Sequence, residues 1–359
     1  MINLFDGVYK GKRVLITGHT GFKGSWLALW LEQMGADVIG YSLEAPTRPN
    51  HFELLDINMV SIIGDIRDSK KLESIFQEYR PEIVFHLAAQ PLVRLSYKEP
   101  VETFETNVMG TINVYEACRN AKSVRAIVNV TSDKCYENKE WIWGYKETDP
   151  MGGYDPYSAS KGASELVTSS YRNSFFNNEK YGKDHNVLLA SCRAGNVIGG
   201  GDWAEDRLIP DMMKAVSLGN KVHIRNPNAT RPWQHVLEPL GGYLMIGQKL
   251  LEGKVAFADG WNFGPSDENS ITVYDVVKNV QKSWNLIDYV IDDGNHVHEA
   301  NLLKLDCSKA HFRLQWYPVW NTEKTFEKTV EWYKNFYSSG KVISLEQLHE
   351  YSSLFRKKS

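Results

Sequence analysis

Cysteine is scarce in this chain of 359 residues: four, at positions 118, 135, 192 and 307, with no Cys-x-x-Cys pair. That pattern excludes a disulfide framework and a cysteine-built zinc site, and reduced thiols in the cytoplasm are the expectation. Apolar stretches break off well short of the ~20 residues a membrane span needs. Met1–Lys12 lacks the basic-then-apolar order of a secretory signal. An excess of one charge is missing too. The 41 basic and 44 acidic residues leave a net of -3, with no basic run outside the tail Arg356–Lys358. Nucleic acid and anionic membranes are therefore not expected partners, and any polyphosphate must be held by local groups.

What is present is an ordinary globular balance, 42% apolar and 24% charged, sufficient for one large or two moderate domains. Strand-like and helix-like segments alternate from the start. Arg13–Thr17, Asp37–Tyr41, Ser61–Gly64, Ile83–Leu87 and Arg125–Val130 read as strands. Ser25–Met34, Asp68–Tyr79 and Thr106–Asn120 read as the helices between them. This rhythm predicts an α/β fold, a doubly wound parallel sheet with helices on both faces. Turn residues at Gly152–Pro156 precede another long helix, and beyond about Gly199 the rhythm loosens. The expected division is a dinucleotide-binding Rossmann domain over 1–195 and a smaller α+β region over 196–359, mainly for substrate. The later region is expected to cross back to the first.

The first strand runs into Gly18-His19-Thr20-Gly21-Phe22-Lys23-Gly24 and then a helix. Glycines in a strand–turn–helix context let the backbone approach a pyrophosphate, whose charge is met by exposed N–H groups and the helix dipole. Thr20, Phe22 and Lys23 join the glycines as candidate cofactor contacts. No acidic residue ends the second strand; Ser42 stands there to bond a ribose, with Glu44 and Arg48 beyond. These residues leave NAD and NADP both open. Asp65 and Ile66, after the third strand, suit an adenine, with a turn or helix cap as the alternative for Asp65.

Tyr157-Ser158-Ala159-Ser160-Lys161 opens the long helix. Residues i and i+4 share a helical face, so phenol and ammonium flank one ligand, and a nearby Lys⁺ is expected to lower the tyrosine's pKa towards neutrality. The strand ending at Val130 delivers Ser132, Asp133 and Lys134 to the same crevice, because strand C-termini in open α/β sheets face the ligand.

With these residues in order, the chain resembles the extended short-chain dehydrogenase/reductases. Thr17–Gly24, His86-Leu87-Ala88-Ala89, Asn107, Ser132, Tyr157 and Lys161 all match. The resemblance implies cofactor contacts from Leu87, Ala88, Ala89 and Asn107. Within that family the chain is similar to the nucleotide-sugar 4,6-dehydratases, whose Ser/Thr-Asp-Glu reads here as Ser132-Asp133-Lys134. That lysine, with Gln90–Arg94 and Arg231-Pro232-Trp233-Gln234-His235-Val236, is similar to the branch acting on CDP-glucose. The likeness runs from about Gly7 to Trp332.

It implies redox-neutral chemistry with NAD in deoxysugar biosynthesis. Tyr157 takes the proton of the sugar 4-hydroxyl, aided by Ser132, and Asp133 is the acid for water loss. Lys134 takes the place of the usual C5 base. A lysine there must be neutral to act, which calls for burial or a neighbouring cation; the alternative is that it stabilises an enolate. Arg231 matches a pyrophosphate contact and Asn196 a substrate-binding asparagine. Arg94, Arg207, Arg225 and Lys304 are further candidates for substrate, with surface salt bridges as the plain alternative. Trp233 and His235 read as packing. His296-Val297-His298-Glu299 does not have the spacing of a zinc helix, so no metal is expected. The resemblance also implies pairing through Thr106–Asn120 and Ser158–Arg172, and so a homodimer or homotetramer. Two other functions compete: an epimerase or oxidoreductase, which needs no Asp133-Lys134, and a dinucleotide sensor, which needs no Tyr157/Lys161.

Overall fold

The computed structural model describes residues 1–224, 227–265, 270–291 and 302–358. The leading half alternates as its sequence pattern dictates. Strands β1 (Arg13–Thr17), β2 (Asp37–Ser42), β3 (Val60–Ile63), β4 (Ile83–His86), β5 (Ala126–Val130) and β6 (Leu188–Ala194) are all parallel to their neighbours. Between them come helices α1 (Phe22–Gln33), α2 (His51–Leu54), α3 (Ser69–Tyr79), α4 (Val93–Lys98), α5 (Pro100–Phe104), α6 (Gly110–Asn120) and α7 (Pro156–Ser174).

Successive side chains of a strand point to opposite faces, and β1 shows the result. Val14 and Ile16 pack with Trp26, Leu27 and Trp30 of α1, whereas Leu15 packs with Leu72, Ile75 and Phe76 of α3 and with Val114 of α6. Each face thus has its own apolar layer, which is why these strands read as nearly continuous apolar runs. All four cysteines are buried thiols outside any disulfide.

The later half supplies short strands β7 (Asn196–Ile198), β8 (Val222–Ile224), β9 (Thr230–His235), β10 (Gly260–Phe263), β11 (Ser270–Thr272) and β12 (Tyr289–Ile291). Helices α8 (Leu208–Ser217), α9 (Leu237–Leu251), α10 (Val273–Ser283), α11 (Thr322–Ser339) and α12 (Ser344–Lys358) accompany them. Strand β10 rejoins the main sheet beside β6, giving seven strands in the order β10-β6-β5-β4-β1-β2-β3. The order turns back at β1 and β4, so a crevice opens above their C-terminal ends. Strands β11, β9 and β7 form a second, small sheet, and β12 pairs with β8.

Most element ends fall within one residue of the sequence expectation, and two differ by more. Helix α1 begins at Phe22, not Ser25, so Gly24 lies inside its first turn. A Cβ at Gly24 would sit 2.0 Å from the Gly18 carbonyl oxygen, and only glycine lets the turn close so tightly onto the loop. The expected helix Thr106–Asn120 is split. A π-helical turn over Glu105–Met109 joins α5 to α6, and such turns tend to occur where a side chain has to be re-aimed.

Candidate active site

The crevice continues into one cavity of about 1440 Å³. That exceeds the ~300–1,000 Å³ typical of a small-ligand pocket, so there is room for two extended ligands side by side. Its first wall is the glycine loop. Gly18 has φ +81°, and a Cβ there would stand 2.8 Å from the Ala88 nitrogen, so the position is restricted to glycine. Gly21 is the N-cap of α1 and supplies no side-chain cap, leaving the N–H groups at the helix start without a protein side chain. Thr20, Phe22, Lys23 and Gly24 complete this wall, with Leu87, Ala88 and Ala89 opposite.

At the far end of the same wall lie Ser42, Asp65 and Ile66. The Thr20 hydroxyl donates to the Leu43 carbonyl at 2.9 Å and lies 2.8 Å from the Ser42 hydroxyl. With its one proton given to Leu43, Thr20 accepts from Ser42, whose oxygen keeps a lone pair for a ligand hydroxyl. Asp65 is committed: it accepts from the Arg67 N–H at 2.8 Å and from its guanidinium at 2.9 and 2.6 Å. Burial pushes its pKa up, yet the bonds from Arg67 outweigh this and hold it below the usual carboxylate range. The turn role weighed for Asp65 is therefore filled, and the cap of α3 is Asp68 instead.

The middle of the cavity carries Ser132, Asp133, Lys134, Tyr157 and Lys161. Ser132 and Asp133 are fixed by the turn after β5: the Ser132 hydroxyl donates to Asp133 Oδ1 at 2.9 Å and accepts from the Lys134 N–H at 3.2 Å. Helix α7 is started by Asp155, which accepts from the Ser158 N–H at 2.9 Å, and by Pro156 in its first turn. That start puts Tyr157 and Lys161 one above the other, 8% and 6% exposed, so both ionisable groups are taken out of water.

Burial reverses one expectation. It pushes the Tyr157 pKa up to about 12, and Asp133 adds to the rise; a hydrogen bond with Ser132 and the charge of Arg207 only partly offset them. The phenol is therefore protonated at neutral pH in the ligand-free protein. The same burial lowers Lys161 to about 8, opposed by the negative charge of Glu165. Lys23 also falls to about 8, through burial and then the positive charge of Arg207, with Asp133 acting the other way. Lys134 is only partly buried.

The second arm of the cavity is formed by Asn196, the segment from Asp202 to Arg207, and α8. Arg94 on α4 pairs with Asp206 at 3.3 Å, and Arg207 with Asp202 at 3.0 Å. Both candidate arginines thus stand in the cavity, and both hold acids of one strap. The chain leading into the strap lies against the aromatic core: a Cβ at Gly200 would overlap the Trp332 ring, and Trp26 Nε1 donates to the Gly200 carbonyl at 2.9 Å.

Two expected residues do not line the cavity. Asn107, 2% exposed, accepts from the Gln90 N–H at 2.8 Å and donates to the Gln90 carbonyl at 3.0 Å and to Ser160 Oγ at 2.8 Å. Its amide is spent holding the 88–90 wall in place, a support role the sequence did not reveal. Lys304 lies beside Tyr145, whose N–H donates to its backbone carbonyl at 2.9 Å, off the cavity wall. Arg225 and His296–Glu299 lie outside the described residues, as does the side chain of Arg231, whose backbone belongs to β9. Trp233 and His235 are buried, as packing residues should be. Among the described residues there is no cluster of His, Cys, Asp and Glu able to hold a metal, and no helix long and apolar enough to cross a membrane.

The strap acids and Glu165 went unread in the sequence. For Glu165 a signal existed, since it stands eight residues after Tyr157 on the same helical face.

Known proteins are similar to this chain in sequence and in fold. A CDP-glucose 4,6-dehydratase of Salmonella typhimurium is 56% identical over 91% of each chain. A dTDP-glucose 4,6-dehydratase of Streptomyces venezuelae, solved with NAD bound, superposes with a TM-score of 0.75 at 22% identity, covering 90% of this chain and 97% of that one. An epimerase of Methanothermobacter thermautotrophicus gives 0.80 at 22% identity over 98% of both chains. Residues 15–329 match the GDP-mannose 4,6-dehydratase family. The chain belongs to that family and is a nucleotide-sugar 4,6-dehydratase by descent.

Proposed function

We propose that the chain is a CDP-glucose 4,6-dehydratase working with NAD and converting CDP-glucose to CDP-4-keto-6-deoxyglucose and water. The carrying observation is the meeting, in one cavity, of the glycine loop with Ser132, Asp133, Lys134, Tyr157 and Lys161. The choice of cytidine rests on the Salmonella typhimurium relative.

The residues present fit a dinucleotide. Gly18 and Gly21 with the uncapped start of α1 suit its pyrophosphate, and the Ser42 oxygen suits a ribose hydroxyl. Glu44 and Arg48 both line that wall and act oppositely on a 2′-phosphate, so the choice of NAD over NADP is supported by the NAD-bound dTDP-glucose 4,6-dehydratase of similar fold. When bound, the cofactor supplies a hydride acceptor for C4 and the donor for C6.

The chain's own groups do the rest. Tyr157 takes the 4-hydroxyl proton, which requires ligand binding to bring its pKa down from about 12, and Ser132 hydrogen-bonds the same oxygen. The resulting ketone acidifies C5–H. Lys134, as the neutral amine, removes that proton, Asp133 protonates the departing 6-hydroxyl, and water leaves; as C6 is reduced, Lys134 returns the proton to C5. Arg94 and Arg207 exchange Asp206 and Asp202 for the substrate pyrophosphate, joined by Arg231, while Asn196 binds beside them. Residues 1–195 hold the cofactor in this reading and 196–359 mainly the sugar nucleotide.

Tyr97, Val101, Phe104, Met109 and Leu166 are exposed along α4, α5, the π turn and α7. This apolar face supports a pairing of two copies, since large exposed patches usually mark interfaces.

The test is to incubate the protein and NAD with CDP-, dTDP-, UDP- and GDP-glucose and read the alkali-induced ultraviolet absorbance of a 4-keto-6-deoxy sugar. Signal with CDP-glucose above the rest is expected, and Tyr157→Phe should abolish it. No signal with any of the four sugars discards the dehydratase.

A further inference from the structure

Tyr157, Lys161 and Glu165 stand at i, i+4 and i+8 on α7 and so form one column. The first two reach the cavity, while Glu165 lies behind them, 4% exposed and off the cavity wall. Its carboxylate is fully engaged. Oε1 accepts from the Thr131 hydroxyl at 2.5 Å; Oε2 accepts from the Ser191 hydroxyl at 2.7 Å and the Arg193 guanidinium at 2.8 Å. Thr131 directly precedes Ser132, and Ser191 and Arg193 belong to β6. Arg193 reaches on to the Tyr136 hydroxyl at 2.6 Å and the Glu147 carbonyl at 3.2 Å. One buried anion therefore fastens the helix carrying the Tyr/Lys pair to the strand end that carries Ser132, Asp133 and Lys134.

The groups facing Lys161 leave it one source of negative charge. Burial drives the Cys135 thiol up and the His86 imidazole down to about 3, so both are neutral near pH 7, and Lys23 is a cation. Glu165 opposes the effect of burial on Lys161. Asp133, Asp155 and Arg207 act on Tyr157 itself.

We propose that Glu165 is a positioning residue for the dehydratase reaction. Bonded to Thr131, Ser191 and Arg193 one turn behind Lys161, it fixes Tyr157 against Ser132 and keeps Lys161 charged. This inference rests on the reading above for its turnover arm only.

Glu165→Gln alone strands the buried Arg193 charge and destabilises the fold. The decisive variant is therefore Glu165→Gln/Arg193→Gln, which removes the pair as a unit. The readout is the 13Cε resonance of Lys161, labelled in lysine, assigned by its loss in Lys161→Met and followed against pH. In the intact protein it titrates near pH 8. In the folded double variant the midpoint falls, by less than the unit or more expected for losing an uncompensated opposite charge, because the Arg193 cation is lost with the nearer Glu165 anion. The alkaline limb of kcat moves down with it, while KM for the sugar nucleotide holds. Glu165→Asp keeps the charge and holds the midpoint high even where turnover drops. A folded double variant with the original midpoint, or a Glu165→Asp protein whose midpoint falls, overturns the proposal. Should the intact protein fail to turn over CDP-glucose, the substrate reading falls, and the lysine titration still decides the role of Glu165.

Discussion

Asn107→Ala probes the support beneath the cofactor wall. The side chain makes three hydrogen bonds, two of them to the backbone of Gln90. Ser160 loses only an accepted bond and keeps its own donation to the Tyr157 carbonyl at 2.7 Å. The Gln90 N–H and C=O both lose a partner inside a buried site, at about 1–3 kcal/mol each, so the wall is weakened by about 2–6 kcal/mol. Water entering from the cavity pulls the loss towards the lower figure. Because Ala88 and Ala89 line the cavity beside Gln90, the loss falls on ligand binding as well as on the fold. Each 1.4 kcal/mol that reaches the site is tenfold in affinity, and NAD binding should weaken by about tenfold or more. Calorimetric titration with NAD and a thermal melt on the same sample measure both effects. Ser160→Ala, which removes one accepted bond and leaves Gln90 satisfied by Asn107, should change either by far less. Unchanged NAD affinity together with an unchanged melting temperature in Asn107→Ala would refute the reasoning, since two orphaned buried groups cannot be free of cost.

Two further predictions follow from the centre of the cavity. In Lys134→Ala, →Gln and →Glu, C5 deuterium exchange should disappear from the first two, and enzyme-bound NADH should accumulate by its near-ultraviolet absorbance; full exchange in Lys134→Ala would remove Lys134 as the C5 base. Lys161→Met should abolish turnover yet raise the thermal midpoint at pH 7. The Lys161 pKa is lowered from 10.5 to about 8 on folding, chiefly by burial, so between those values the unfolded chain binds more protons and stability rises with pH. Below pH 8 the full penalty applies, and methionine removes it; melts at pH 7 and pH 10 should show the intact protein gaining on the variant at the higher pH.

Local features were legible in the sequence. The glycine loop, the Tyr157/Lys161 spacing and the Ser132-Asp133-Lys134 turn each span a few residues, and helix or strand periodicity alone places them. What escaped depends on partners far along the chain. Asn107 reads as a cofactor contact until Gln90 is seen to occupy it, 17 residues away. Arg94 and Arg207 read equally as substrate ligands or salt-bridge partners until the strap acids are seen beside them. The Tyr157 pKa moved opposite to the expectation because a neighbouring lysine is visible in sequence and burial is not.

The return of β10 to the main sheet also bears on how the molecule is made. Strand β6 is buried along its whole length, and its outer edge is covered by Gly260–Phe263. A nascent chain that has emerged only to residue 195 presents β6 as a bare edge of apolar residues, the kind of surface that pairs with other chains. The first 195 residues are thus contiguous in sequence but incomplete in synthesis. They cannot be sealed until some seventy more residues have left the ribosome, which at ~5–20 residues per second leaves several seconds of exposure. The boundary useful for describing the site is therefore not a boundary at which the chain can be cut.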